Sequence, residues 1–283
     1  MTYCYDKSIV KRLLFAAMTA ALCLASYNAE WNKPFPPHRV IGNLFYVGTN
    51  YLSSYLIATN EGHILINPSY EETVPLIEAS VEKLGYHLKD VKIILISHAH
   101  DDHCAGLAKM KELTRAKVMV MDGDVKEIED GGVSDFHYKD MRWTPVKVDR
   151  ILHDGTEVTL GGVTMTAHKT AGHTKGCTTW TTRIANRDVV IVGSPNVNDG
   201  YKLLYNDKYP NIVADYEHTF AVLKSLRCDI FLGAHPAYYN MEEKYRRLMQ
   251  GGSNPFLDER GYQSYVEDRE VAFKNALRKE RGR

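Results

Sequence analysis

An α/β fold with two β-sheets packed on each other and helices outside is what this sequence predicts, and three observations carry the prediction. Short runs of β-forming residues recur along the chain, and segments with apolar residues at helical spacing alternate with them. The two β-rich halves are joined by no low-complexity linker and share no repeat of fixed period, so they read as one domain. With 283 residues, 44% of them apolar and 25% charged, the chain can bury such a core without staples.

Taken in order, residues 38 to 67 read as a meander of short strands, "RVIGNLFYVGT", "SSYLIAT" and "GHILINP", parted by Asn and Gly turns. Residues 71 to 85 carry apolar positions at helical spacing and stop at a glycine. "VKIILIS" has the apolar density of a buried strand, "AGLAKMKELTR" is an amphipathic helix, "AKVMVM" a strand and "DGDVKEIEDGG" a short helix ending in glycines. The second half repeats the pattern loosely. Strands are expected in "TEVTLGGVTMTAHKT", "TTWTTRI" and "DVVIVGS", a helix across "IVADYEHTFAVLKSL", and a last strand in "CDIFLGAH". "FKNALRKERGR" reads as a charged, solvated helix end.

Charge sets further bounds. Thirty-five Lys and Arg balance 35 Asp and Glu, spread along the chain, which argues against a nucleic-acid surface. At the N-terminus Lys7, Lys11 and Arg12 precede an apolar run from Leu13 to Ala25. At about 13 residues the run is too short to span a bilayer and fits a secretory leader. Cleavage before Ser26 would leave residues 26–283 as a single exported domain, periplasmic and off the membrane. That mature chain keeps Cys104, Cys177 and Cys228, so at most one disulfide is expected and buried free thiols are the natural reading.

The chemistry concentrates in "LISHAHDDHCAG", residues 95 to 106, where a strand ends. Positions i and i+2 of an extended chain point to the same side, so His98 and His100 can reach one metal ion. Asp102 and His103 open the next helix and can face a second ion. Each set lacks a third ligand, and "TAGHTKG" and "IFLGAHP" supply His173 and His235 at two further strand ends. Neutral imidazole and carboxylate are zinc ligands, and a catalytic site leaves a position for water. Cys104 beside them is expected to turn inward as a buried thiol. The other histidines, His38, His63, His87, His137, His153, His168 and His218, lack ligand spacing and read as surface or ordinary loop residues. Trp31 and the prolines after it suggest an N-terminal flap. In the loop "GGVSDFHYKDMRW", Phe136 and Tyr138 could rest on an apolar substrate or pack within their own loop.

HxHxDH followed by Gly-His-Thr-x-Gly and Gly-x-His resembles the metallo-β-lactamase superfamily across essentially the whole mature chain. The resemblance implies a four-layer αββα sandwich with the metals at the sheet edge. It assigns one zinc ion to His98, His100 and His173 and a second to Asp102, His103 and His235. Glyoxalase II and lactonase relatives carry a metal-bridging Asp after the strand "DVVIVG", where this chain has Ser194. "WNKPFPPHRVIGNLFYVGT", "GHTKGCTTW", "VKVDRILHDGTEVTLGG" and "NPF" resemble subclass B3 of the metallo-β-lactamases. The implied activity is two-zinc hydrolysis of β-lactam antibiotics (penicillins, cephalosporins and carbapenems), giving resistance, by a monomer that engages no nucleic acid. A zinc-activated hydroxide would attack the carbonyl, with Asp102 as the catalytic residue that orients it and passes on its proton. Ser194 and Asn196 fall where such enzymes bind substrate, and Asn67 stands where the family places an Asp that supports a ligand histidine. Another superfamily hydrolase, a lactonase or thioesterase, stays open as an alternative, as does a non-catalytic zinc protein on account of Asn67.

Overall fold

The computed structural model describes residues 32–282. The leader expected over residues 1–25 and Trp31 of the proposed flap lie outside that range. The opening meander forms as β1 (His38–Ile41), β2 (Leu44–Tyr46), β3 (Tyr55–Thr59) and β4 (Gly62–Ile66), each antiparallel to the next. Parallel neighbours need a crossover, and helices supply it. α1 (Val74–Lys83) returns the chain to β5 (Val91–Leu95) beside β4. α2 (Asp101–Cys104) and α3 (Leu107–Thr114) lead to β6 (Lys117–Met121) beside β5. α4 (Val125–Asp130) and a long loop end at β7 (Arg150–Leu152), which closes a seven-stranded sheet in chain order.

The second sheet has five strands. β8 (Thr156–Leu160), β9 (Val163–Lys169), β10 (Thr178–Ile184) and β11 (Arg187–Val192) run antiparallel, and α5 (Ile212–Ser225) crosses to β12 (Ile230–Gly233), parallel to β11. α6 (Met241–Gln250) and α7 (Glu259–Arg281) complete the chain.

Strand alternation sorts the side chains into layers. Tyr55, Ile57, Ile64, Ile66 and Leu95 of the first sheet join Met165, Trp180 and Ile191 of the second in one core. Leu56, Leu65, Ile94 and Val118 point the other way, onto Val74, Ile77 and Val81 of α1 and Leu107 and Met110 of α3. Val189 to Val192 are buried without alternation, because β11 is covered on both faces and Tyr216, Phe220 and Phe273 of α5 and α7 belong to the same core. The order is helices, sheet, sheet, helices: the αββα sandwich that the resemblance implied. Trp180 ties the sheets together, its indole Nε1 donating to Ile96 O at 3.0 Å.

Three elements were not anticipated. β7 is three residues long with only Leu152 buried and has no pattern to read; α6 lays Met241, Tyr245 and Leu248 on the core at helical spacing, a stripe masked in the sequence by five charged residues. α7 begins at Glu259, well before the charged end that announced it. Asp258 caps it, accepting from Gly261 N at 3.0 Å, and takes Lys244 Nζ of α6 at 2.7 Å. Two histidines expected at the surface are instead buried: His38 within an aromatic cluster and His63 beside Tyr86. Cys104, Cys177 and Cys228 are all free and buried, as expected of thiols without ligand roles.

Candidate metal centre

β5 brings the first ligands to the edge of its sheet. Ser97 N donates to the side-chain oxygen of Asn67 at 2.7 Å, and Asn67 has φ of 59°, a left-handed conformation that Asn tolerates better than most residues. Asn67 therefore holds the backbone ahead of His98 and touches no ligand imidazole; His98 Nδ1 meets Ser97 Oγ instead, at 3.1 Å. The expected support of a histidine by Asn67 is corrected accordingly. An asparagine with φ of 59° spends its amide on the adjoining strand end.

The second sheet supplies the remaining ligands by direction. Two antiparallel steps make β9 and β11 run the same way, and β12 is parallel to β11, so all three end at one edge. His173 follows β9, in a loop where Gly172 has φ of +126° and an added Cβ would lie 2.7 Å from the Tyr216 ring. His235 follows β12. Asp124, beyond the end of β6, ties the ligand loops of the two sheets together, accepting from Ala99 N at 2.8 Å, Thr174 Oγ1 at 2.8 Å and Gly176 N at 2.6 Å. Burial raises its pKa to about 6, against those three donors. Sequence reasoning missed Asp124. Its one visible signal was an acid just past a strand end, in "VMVMDGD".

All six predicted ligands converge. Ligand atoms of His98, His100 and His173 lie within 4.8 Å of one another, and so do those of His98, Asp102 and His103. His103 Nε2 is 3.1 Å from His235 Nε2 and 3.2 Å from an Asp102 oxygen, which lies 3.5 Å from His235 Nε2.

The chemistry of this set fits a cation. Burial and neighbouring imidazoles hold His98 well below the usual histidine range, and burial brings His173 and His235 down to about 4. These rings are neutral and carry lone pairs. Their outer nitrogens fix the tautomers: His173 Nδ1 donates to Asn196 O at 2.8 Å and His235 Nδ1 to Tyr51 O at 3.3 Å, which leaves each Nε2 as the free donor atom. Burial opposes ionisation of Asp102, but His103 and His235 outweigh it and hold the carboxyl below its ordinary range. Neutral imidazoles crowded around an ionised carboxylate are zinc-type ligands. Cys104 is fully buried and joins neither ligand group.

A cavity of about 560 Å³ opens over the cluster, walled by Tyr51, Tyr70, Tyr138, Met141, Asn196 and Tyr238. Of the two predicted substrate contacts, Asn196 lies on this wall. Ser194 does not: it is 1% exposed, with Oγ 3.1 Å from the Tyr238 hydroxyl. The loop aromatics also divide, since Tyr138 stands edge-on to His100 with ring centroids 5.2 Å apart, while Phe136 packs on Tyr201 and Tyr209. Asp135, another residue missed in sequence, places a carboxylate oxygen 3.8 Å from His100 Nε2.

A histidine-rich centre at the edge of a two-sheet sandwich is the kind of site in which metal-binding hydrolases hold their ions. The metallo-β-lactamase superfamily model matches residues 47–235, and the chain belongs to that superfamily. Native FEZ-1 metallo-β-lactamase from Legionella gormanii is 50% identical with a TM-score of 0.87, covering 88% of this chain and 98% of that one. BJP-1, a subclass B3 metallo-β-lactamase of Bradyrhizobium japonicum, is 35% identical with a TM-score of 0.83, over 89% and 97% of the two chains. A hydroxyacylglutathione hydrolase of Rhodopseudomonas palustris (strain BisB5) is 28% identical over 126 residues, 42% of this chain. The match spans 38% and 41% of the length of the two leading curated relatives.

Proposed function

We propose that the protein is an exported, periplasmic and monomeric hydrolase of β-lactam antibiotics (penicillins, cephalosporins and carbapenems) that works with two zinc ions and confers resistance. The observation that carries this reading is the composition of the ligand set. Asp102 is its one carboxylate, and the position after β11 where thioesterase and lactonase relatives place a second is Ser194, turned away to Tyr238. The 50% identity with FEZ-1 over nearly the whole of that chain supports it.

His98, His100 and His173 would hold one zinc ion and Asp102, His103 and His235 the other. Zinc supplies Lewis acidity and a water activated at neutral pH. Asp102, ionised and partly open to the cavity, would orient a water there through a carboxylate oxygen and pass its proton onward. Asn196 offers an amide to the carboxylate of the substrate, and Tyr138 and Met141 present apolar surface to its side chain. Thioester hydrolysis is the second reading, favoured only by the partial likeness to hydroxyacylglutathione hydrolase.

The test is turnover of nitrocefin, a carbapenem, a lactone and a thioester by purified protein, with zinc and after EDTA. β-Lactam hydrolysis should vanish with the chelator, return with zinc, and be absent from His173→Ala. Cleavage of the lactone or thioester alone would overturn the proposal. Periplasmic export is checked by fractionation, which should release a chain lacking residues 1–25.

A further inference from the structure

The end of α7 reads in sequence as a solvated, basic helix end, and Arg278, Lys279 and Arg281 fit that reading. Glu280 is the exception. A carboxylate near a helix C-terminus faces the negative end of the helix dipole, so its place there is unfavourable unless other contacts hold it. Two backbone N–H groups do so. The half-buried Glu280 side chain spans consecutive residues of another segment, Oε2 accepting from Leu203 N at 2.8 Å and Oε1 from Leu204 N at 3.0 Å. Bonds to a carboxylate are stronger than bonds to a neutral oxygen, and a buried N–H without a partner is costly, so the pair fixes this stretch of backbone to α7.

The stretch belongs to the connection of residues 193–211 between β11 and α5. That connection grips His173 twice: Asn196 O accepts from its ring Nδ1 at 2.8 Å, and the Tyr201 hydroxyl donates to its carbonyl oxygen at 2.8 Å. Tyr201 is buried two residues before the clamp. Beyond the clamp, Asn206 closes the chain on itself, donating from Nδ2 to Lys202 O at 2.8 Å and accepting from Tyr209 N at 3.1 Å. Little packs against the tip of this turn, where Tyr205 is 87% exposed with φ of 52°. The Glu280 carboxylate therefore ties a self-closed, outlying turn to a long helix, and the first side chain inward from the tie reaches the backbone of a ligand histidine.

We propose that Glu280 is a positioning residue for the metal centre: by holding Leu203 and Leu204 to the end of α7 it sets Tyr201 against the His173 carbonyl, and so fixes the loop from which His173 presents its Nε2. The inference rests on the ligand set read above and deepens it, and it holds whichever substrate is hydrolysed. Glu280 itself touches no ligand and no reacting atom.

The test is zinc affinity of the purified protein, measured by competition with a chromophoric chelator. Glu280→Ala should lower it about tenfold, the lower end of what losing a supporting contact costs a metal site. Glu280→Gln, which keeps one oxygen for the two N–H groups, should fall between wild type and Glu280→Ala, and it carries the comparison if Glu280→Ala does not fold. Lys279→Ala, at an exposed position beside it, should match wild type. Tyr201→Phe should lower the affinity comparably, and adding Glu280→Ala to it should cost little more, because the carboxylate acts through that hydroxyl. In zinc-free protein the Leu203 and Leu204 amide protons should exchange about tenfold faster in Glu280→Ala than in wild type. A lowered urea midpoint with unchanged zinc affinity would make Glu280 a structural tie alone, and additive losses in the double variant would separate it from Tyr201; either result overturns the assignment. Wild-type protein that binds no zinc would remove the ligand-set reading and this inference together; wild-type binding with unchanged affinity in Glu280→Ala removes this inference alone.

Discussion

Asp135 divides its carboxylate between two tasks. One oxygen accepts from the backbone N–H groups of His137 and Tyr138, and so shapes the loop that presents Tyr138 to the cavity. The other lies 3.8 Å from His100 Nε2, beyond hydrogen-bond distance, yet faces a buried nitrogen that has no hydrogen-bond partner among the described residues. A carboxylate behind a ligand imidazole fixes its orientation, and losing one lowers metal affinity by about 10 to 100-fold. Asp135→Ala should show a loss of that order in competition with a chromophoric chelator, and unchanged affinity would refute the role. The ligand histidines were legible in sequence because His98, His100 and His103 crowd the end of the apolar run of β5, His235 follows the apolar β12, and His173 stands in a Gly-His turn after β9. Asp124 and Asp135 were not, since their partners are backbone N–H groups and an imidazole far off in the chain, which no spacing records. Asn67 misled for a related reason: its residue type suggested a contact that its left-handed backbone directs elsewhere.

At the scale of elements, the join between α6 and α7 rests on one ion pair. Lys244 is 5% exposed, its ammonium lying over the rings of Phe231 and Tyr239 and 2.7 Å from Asp258. Asp258 is also the N-cap of α7. Asp258→Ala removes the cap and leaves a buried cation unpaired, so it should cost about 3 kcal/mol; the partial exposure of Asp258 keeps the loss below that of a sealed pair. Lys244→Met, which removes the buried charge and keeps the packing, should cost much less. Urea unfolding midpoints measure both, and equal losses would contradict the argument. Strands and helices that bury a face were readable from their periodicity. α6 escaped although Met241, Tyr245 and Leu248 are spaced for one face, because five charged residues fill the other positions and Lys244, which is buried, looks like a solvent residue; β7 escaped because three residues with a single buried position make no pattern.

Over the whole molecule, His38 links stability to acidity. It is packed between Tyr46 and Phe256, with ring centroids at 5.2 and 5.7 Å, and burial lowers its pKa to about 4 against the hydrogen bond to Pro36 O. An unfolded histidine takes its proton near pH 6.5. The unfolded chain is therefore the first to be protonated, and the stabilisation from neutral His38 is complete above about pH 6.5 and lost as the pH falls toward 4. With EDTA present throughout, the stability gap between wild type and His38→Gln should narrow by up to about 3 kcal/mol from pH 7.5 to pH 4. A gap that does not change with pH would show that the ring titrates normally. The aromatic box around His38 was invisible in sequence because Phe256 comes from the far end of the chain. The layered order of sheets and helices was legible, since it follows from strand alternation alone. One further consequence follows from where the ligands sit. His98, His100, Asp102 and His103 belong to the first sheet, His173 and His235 to the second, and the exposed turn at His153, Asp154 and Gly155 is the hinge of the sequence between them. Severed at Asp154, the chain would yield two inert fragments that regain chemistry only when they meet, and a coloured substrate would then report the reunion.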